Sequence, residues 1–183
     1  MQPLWSNFTI GDAGRLKHTP GDEDPEFLAD GLQHVPDRAV IDHDNDRLTV
    51  CLWYGETEAS VTLVDRGDSE LGIAYVCEPA KVDNVEGHLT LMPKIGDHLR
   101  LSTGDAIPLG EQPFAWSVPG QAGFVEHNGW RLLLPAGVRI EWPALPHNPY
   151  KKGGESEIED GRIVIVMPFT QERSKYEMVL QIL

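Results

Sequence analysis

The chain has 183 residues, of which 40% are hydrophobic, with 18 glycines and 14 prolines. That length holds a single domain with a proper core, here expected over residues 1–183, and punctuation this frequent suits many short strands joined by turns. The net charge is −14, from 15 basic and 29 acidic side chains; it repels phosphate backbones and anionic lipid, which argues against nucleic-acid and membrane-surface roles.

The acidity is uneven. Residues 1–100 carry 8 basic against 19 acidic groups, a balance of −11, and residues 101–183 carry 7 against 10, a balance of −3. An anionic ligand is therefore expected to meet the C-terminal half. No apolar run approaches the ~18 residues of a transmembrane helix. The opening MQPLWSNFTIGD lacks the charged region and apolar block of a signal peptide, which favours a cytoplasmic setting. Cys51 and Cys77 are too few for a disulfide framework and read first as buried free thiols, with a bridge between them as the alternative should their strands be neighbours.

In chain order, Trp5 to Ile10 alternates as a first strand. Gly11 to Asp37 is irregular, but Asp24-Pro25-Glu26 is a good helix start, with Asp as cap and Pro at the first helical position. Phe27, Leu28, Leu32 and Val35 give that short helix an apolar side; it is the one helix expected. Ala39 to Ile41 and Arg47 to Tyr54 are strands around the acidic turn DHDND, and Ser60 to Val64 pairs back through GETEA. Leu71 to Glu78 places Leu71, Ile73, Tyr75 and Cys77 on one side. The stretch HLTLMPKIGDHLRLS reads as a hairpin with Lys94-Ile95-Gly96 as its loop, so that Met92 faces His98 and Leu91 faces Leu99. Phe114 to Val118, bounded by Pro113 and Pro119, suits an edge.

Phe124 to Trp142 holds two turn signals. Asn128-Gly129 is the strongest short hairpin signal, because a type I′ turn needs φ > 0 twice. It sets His127 opposite Trp130, Glu126 opposite Arg131 and Val125 opposite Leu132. Pro135-Ala136-Gly137 reads as a second hairpin loop, which would pair Leu134 with Val138, Leu132 with Ile140 and Trp130 with Trp142. Glu126, Arg131 and Glu141 would then form one row. Pro143 to Asp160 is a long loop. Arg162 to Phe169 and Glu177 to Leu183 close the chain, and Ile163 to Met167, apolar on both faces, belongs in the middle of a sheet. Roughly twelve strands with no alternating helices give an all-β, antiparallel two-sheet sandwich of jelly-roll or supersandwich type, with one short N-terminal helix.

Little in the chain names a reaction. An arginine between Glu126 and Glu141 lowers both carboxyl pKa values, which suits a charge ladder better than a glycosidase acid–base pair. Asp42, Asp44 and Asp46 have calcium-loop spacing, but Arg47 stands where the motif needs glycine and Trp53 where it needs glutamate. No metal site and no cofactor are expected, since no G-x-S-x-G, H-E-x-x-H, C-x-x-C or phosphate-cradling glycine loop is present. The catalytic candidates are His88, His98 and Arg100, gathered on one face by the expected hairpin. The ligand-binding candidates are His147, Tyr150, Lys151 and Lys152 in the long loop, where tyrosine can stack on a sugar ring and the lysines attract a carboxylate or sulfate.

The general architecture is similar to sandwich modules attached to polysaccharide-processing enzymes, without a shared motif. The first reading is accordingly a ligand-binding or accessory module with carbohydrate as the ligand class. The alternatives are a lyase, isomerase or hydrolase on the same scaffold, and a structural domain that forms homo-oligomers. An enzyme should gather pKa-shifted groups in a concave pocket, a binding module should expose aromatics, and an oligomer should leave a broad apolar patch.

Overall fold

A computed structural model of the chain describes residues 8–10, 36–78, 85–145, 150–151 and 156–183. These form fourteen strands: β1 (Phe8–Ile10), β2 (Arg38–Asp44), β3 (Arg47–Tyr54), β4 (Thr57–Gly67), β5 (Glu70–Cys77), β6 (Val85–Leu91), β7 (His98–Leu101), β8 (Ala106–Pro108), β9 (Phe114–Ser117), β10 (Ala122–His127), β11 (Trp130–Pro135), β12 (Arg139–Ala144), β13 (Arg162–Phe169) and β14 (Lys175–Ile182). A short 3-10 turn, Ile158–Asp160, precedes β13. The helix expected from Asp24 lies outside the described residues.

The strands make two antiparallel sheets, one of five in the order β1-β6-β13-β12-β9 and one of nine in the order β2-β3-β4-β5-β14-β11-β10-β7-β8. The expected antiparallel sandwich is the observed fold. Its core lies between the sheets, where Leu52, Tyr75, Leu99, Leu132, Leu134, Tyr176 and Met178 of the larger sheet meet Phe8, Ile140, Trp142, Ile163, Ile165, Met167 and Phe169 of the smaller. Phe169 stands edge-on to Tyr176, with ring centres 5.1 Å apart. The central place of β13, between β6 and β12, follows from burial of both its faces: Val164 and Val166 are buried on one, Ile163 and Ile165 on the other. β9 takes the edge that its flanking prolines favour.

Local turns set the pairing wherever the chain reverses within one sheet. Asn128 and Gly129 both have positive φ (42° and 84°), and around them His127, Glu126 and Val125 pair with Trp130, Arg131 and Leu132 as the sequence predicts. The DHDND turn is tighter than expected. β2 runs on to Asp44, which pairs with Arg47 across Asn45-Asp46.

Two expected hairpins are instead arches that carry the chain from one sheet to the other. Across Pro135-Ala136-Gly137, β11 pairs with β10 and β14, whereas β12 pairs with β13 and β9. Leu132 and Ile140, and likewise Trp130 and Trp142, are therefore not cross-strand partners. Nor do Glu126, Arg131 and Glu141 form a row: Glu141 accepts from Arg139 Nε at 2.5 Å in the other sheet. Across Lys94-Ile95-Gly96, β6 pairs with β1 and β13, while β7 pairs with β10 and β8, so Met92 does not face His98. Apolar drive explains both departures. An arch places Leu132 and Leu134 in one layer and Ile140 and Trp142 in the facing layer, where all four are buried.

Candidate functional site

The arch between β6 and β7 separates the three catalytic candidates. His88 is 4% exposed on β6. Its Nε2 lies 3.5 Å from Glu86 Oε2, and its Nδ1 lies 3.5 Å from the hydroxyl of buried Thr9. Glu86 also faces Arg139 at 3.6 Å. The hydrogen bond with His88, followed by attraction to His88 and Arg139, holds the Glu86 carboxyl below the ordinary range against the opposing effect of burial. His98 and Arg100 stay together, exposed on β7, with Leu99 and Leu101 turned into the core between and beside them.

His98 and Arg100 open onto a cavity of about 420 Å³ at the β7–β10–β11 end of the larger sheet, together with Asp97, Glu126, His127 and Trp130. Arg100 is the register partner of Glu126 on β10, which pairs in turn with Arg131, Gln181 and Glu70 across β11, β14 and β5. A polar row does run through Glu126 and Arg131, but its other members are Arg100, Gln181 and Glu70, and the row expected with Glu141 does not form. Within it the Arg131 guanidinium grips Glu126 Oε1 through Nε at 2.6 Å and through Nη2, lies over the Phe124 ring at 4.8 Å, and is thereby committed. Gln181 donates to Glu70 at 2.7 Å. Arg100 has no ion-pair partner among the described residues.

His127 is structural. Its Nε2 accepts the Lys94 backbone N–H at 2.8 Å, and its Nδ1 reaches the His98 carbonyl at 3.1 Å. An amide N–H can only donate and a carbonyl can only accept, so the ring sits as the neutral Nδ1–H tautomer. It thereby pins the arch that delivers His98, and stands edge-on to Trp130 with centres 5.7 Å apart. Asp97 is held below its ordinary range, first by the His98 backbone N–H it accepts at 2.8 Å and then by nearby positive charge, that of Lys94 included. It remains an ionised acceptor near neutrality.

Of the ligand-binding candidates, His147 and Lys152 lie outside the described residues. Tyr150 is 95% exposed and is the one exposed Trp, Tyr or Phe among the described residues. Lys151 Nζ donates to Glu157 at 2.5 Å and draws the Glu157 carboxyl below its usual range. Glu157 lines a second cavity, of about 410 Å³, with Glu111, Glu159 and Leu145. Three carboxylates around that space oppose the anion expected there from the lysines. Trp142 is buried and donates Nε1–H to the Gly110 carbonyl at 2.9 Å. Trp53 is half-buried under the Arg38 guanidinium, 3.7 Å from its ring centre.

No protein-family model matches the sequence, and no curated protein matches it. Among solved structures, the fold is similar to that of a chondroitinase AC lyase whose active site was revealed through enzyme–oligosaccharide complexes and mutagenesis. The two chains are 14% identical, with a TM-score of 0.54. The match covers 78% of this chain and 22% of that one, so the chain spans about a fifth of the length of its structural neighbour. At this identity the likeness establishes a common β-sandwich and stops there. No described helix is long and apolar enough to cross a membrane.

Proposed function

We propose that the protein is a saccharide-binding β-sandwich whose ligand seats in the cavity beside β7, β10 and β11. The observation that carries this reading is Arg100, an uncommitted cation on a concave surface of an otherwise strongly acidic chain, with half-buried Trp130 in the same wall. A guanidinium fork suits a sugar carboxylate or sulfate, and an indole suits the C–H face of a pyranose ring. A structural neighbour known in complexes with oligosaccharides supports the ligand class. Calorimetry with uronate-containing oligosaccharides and their neutral counterparts tests the idea. The acidic ligands should bind more tightly and lose affinity with salt. Arg100→Ala should remove about 1 kcal/mol, or ~5-fold, from the acidic ligands alone. Equal binding of acidic and neutral ligands, or indifference to Arg100→Ala, would refute it.

Two further readings keep a specific support. The exposure of Tyr150 favours a stacking platform formed with His147, Lys151 and Lys152, and Tyr150→Ala should then weaken neutral sugars irrespective of salt. Catalysis by a lyase, isomerase or hydrolase route needs a proton donor in the cavity. Asp97 is held ionised and Glu126 is gripped by Arg131, which leaves His98. His98→Gln should abolish any turnover while leaving saccharide binding in place.

A further inference from the structure

The described edge strands are protected unequally. β8 is three residues long and ends in Pro108; β9 is four residues long between Pro113 and Pro119. Short length and flanking proline both discourage pairing with a foreign strand. β2 is longer than either, and Pro36, two residues before it, is its one flanking proline. The strand itself is seven residues without proline, every one exposed, with Ile41 at 69% and Val40 at 47%. Among the described residues it pairs with β3 alone.

Hairpin parity shows which of its backbone groups are free. The Asp44–Arg47 pair closes a two-residue turn, as does Tyr54–Thr57 on the other side of β3. Residues flanking such a turn exchange both backbone hydrogen bonds. Arg47, Thr49, Cys51 and Trp53 therefore point their amides at β2, and Arg38, Val40, Asp42 and Asp44 answer them. Ala39, Ile41 and His43 are left with N–H and C=O aimed away from the sheet.

We infer that β2 is a self-association edge, pairing antiparallel with β2 of a second copy about a two-fold axis through Ile41. That register sets Ile41 against Ile41 and Ala39 against His43, so all the outward backbone groups find partners. It also sets Arg38 against Asp44 at both ends, with Asp42 diagonal to the same arginine. A parallel arrangement in register would instead place Asp42 on Asp42 and Asp44 on Asp44. The charges at this edge thus repel strands in general but suit an inverted copy of themselves. A sheet of eighteen strands results, built from two nine-stranded halves.

The inference is independent of the saccharide site, and sedimentation velocity over a concentration series up to roughly 1 mM tests it. The native chain should show a concentration-dependent dimer. Arg38→Asp or Asp44→Arg alone should weaken it about tenfold, since each reversal turns two symmetry-related attractions into repulsions. The double variant Arg38→Asp/Asp44→Arg should restore it. Ile41→Pro removes an outward N–H that the β3 ladder does not use, so it should give a folded monomer by circular dichroism. A native chain that stays monomeric throughout would overturn the inference. So would a dimer that ignores the single reversals, or a double variant no better than the singles.

Discussion

Gly87→Ala should destabilise the protein, against the usual direction of a glycine-to-alanine change in a strand. A β-carbon at Gly87 would stand 2.9 Å from Phe169 Cε2, 3.3 Å from Tyr75 Cδ1 and 3.4 Å from Met167 Cε. Met167 has a flexible end, but Phe169 does not have room to retreat. Its ring is 3% exposed and packs against Phe8 at 5.7 Å and Tyr176 at 5.1 Å. Overpacking of this kind costs about 1–3 kcal/mol. Restricting the unfolded chain recovers about 0.4–1 kcal/mol, leaving a net loss of about 1–2 kcal/mol. For a chain of this size that lowers Tm by about 2–8 °C. Gly110 is the control, since a β-carbon there would meet nothing within 4 Å; Gly110→Ala should be neutral or gain a few tenths of a kcal/mol. Thermal and urea melts of the two variants decide the matter. A Gly87→Ala protein that melts at or above the parent, or a Gly110→Ala protein that falls as far, would refute close sheet-to-sheet contact at β6.

Cys77 is 1% exposed, and burial, aided by Glu78, pushes its thiol up to about 11. At pH 8 about one molecule in a thousand carries the thiolate, so iodoacetamide should modify half-buried Cys51 first, as read by mass spectrometry of the native protein; equal rates would contradict the packing of β5. Glu86 gives a pH dependence. A carboxyl whose folded pKa is depressed stabilises the fold above its unfolded value, about 4.3, and that stability drains away as pH falls through the lower folded value. Glu86→Gln should therefore be the less stable protein at pH 7, and the gap should close in acid melts; a gap constant with pH would show that Glu86 acts by shape alone. Trp142→Phe strands the Gly110 carbonyl and should cost about 1–3 kcal/mol in urea unfolding.

Legibility divides along the range of each interaction. The Asn128-Gly129 turn was legible because its chemistry is complete within four residues, whereas the DHDND turn was placed but drawn wider than its two central residues, Asn45-Asp46. The buried set was legible too, since Leu132, Leu134, Ile140 and Trp142 obey the alternation that any half-buried strand must show. The partner of each strand was not. Inward residues remain inward whether the chain turns back beside itself or crosses to the other layer, so alternation cannot distinguish a hairpin from an arch at Pro135-Ala136-Gly137 or Lys94-Ile95-Gly96. That ambiguity separated His88 from His98 and moved Glu141 out of the row with Arg131. Arg100 and Gln181 joined that row through pairings that span up to 111 residues of sequence, for which no local signal exists. The β8 strand, three residues with a single half-buried side chain, gave no periodicity to detect.

The places of β13 and β14 govern how the protein can be made. β13 is inserted between β6 and β12, and β14 between β5 and β11, yet both follow every other described strand in sequence. Until residues 162–182 have left the ribosome, each sheet exists as two unjoined pieces, and β5, β6, β11 and β12 each present an open ladder of amides and carbonyls. Sheets completed by distant strands close slowly, and open ladders of this kind invite pairing between nascent chains. A chain cut before Arg162 would not be a shorter sandwich but four loose sheet fragments, so such a truncation should yield aggregate or degradation product instead of a trimmed fold.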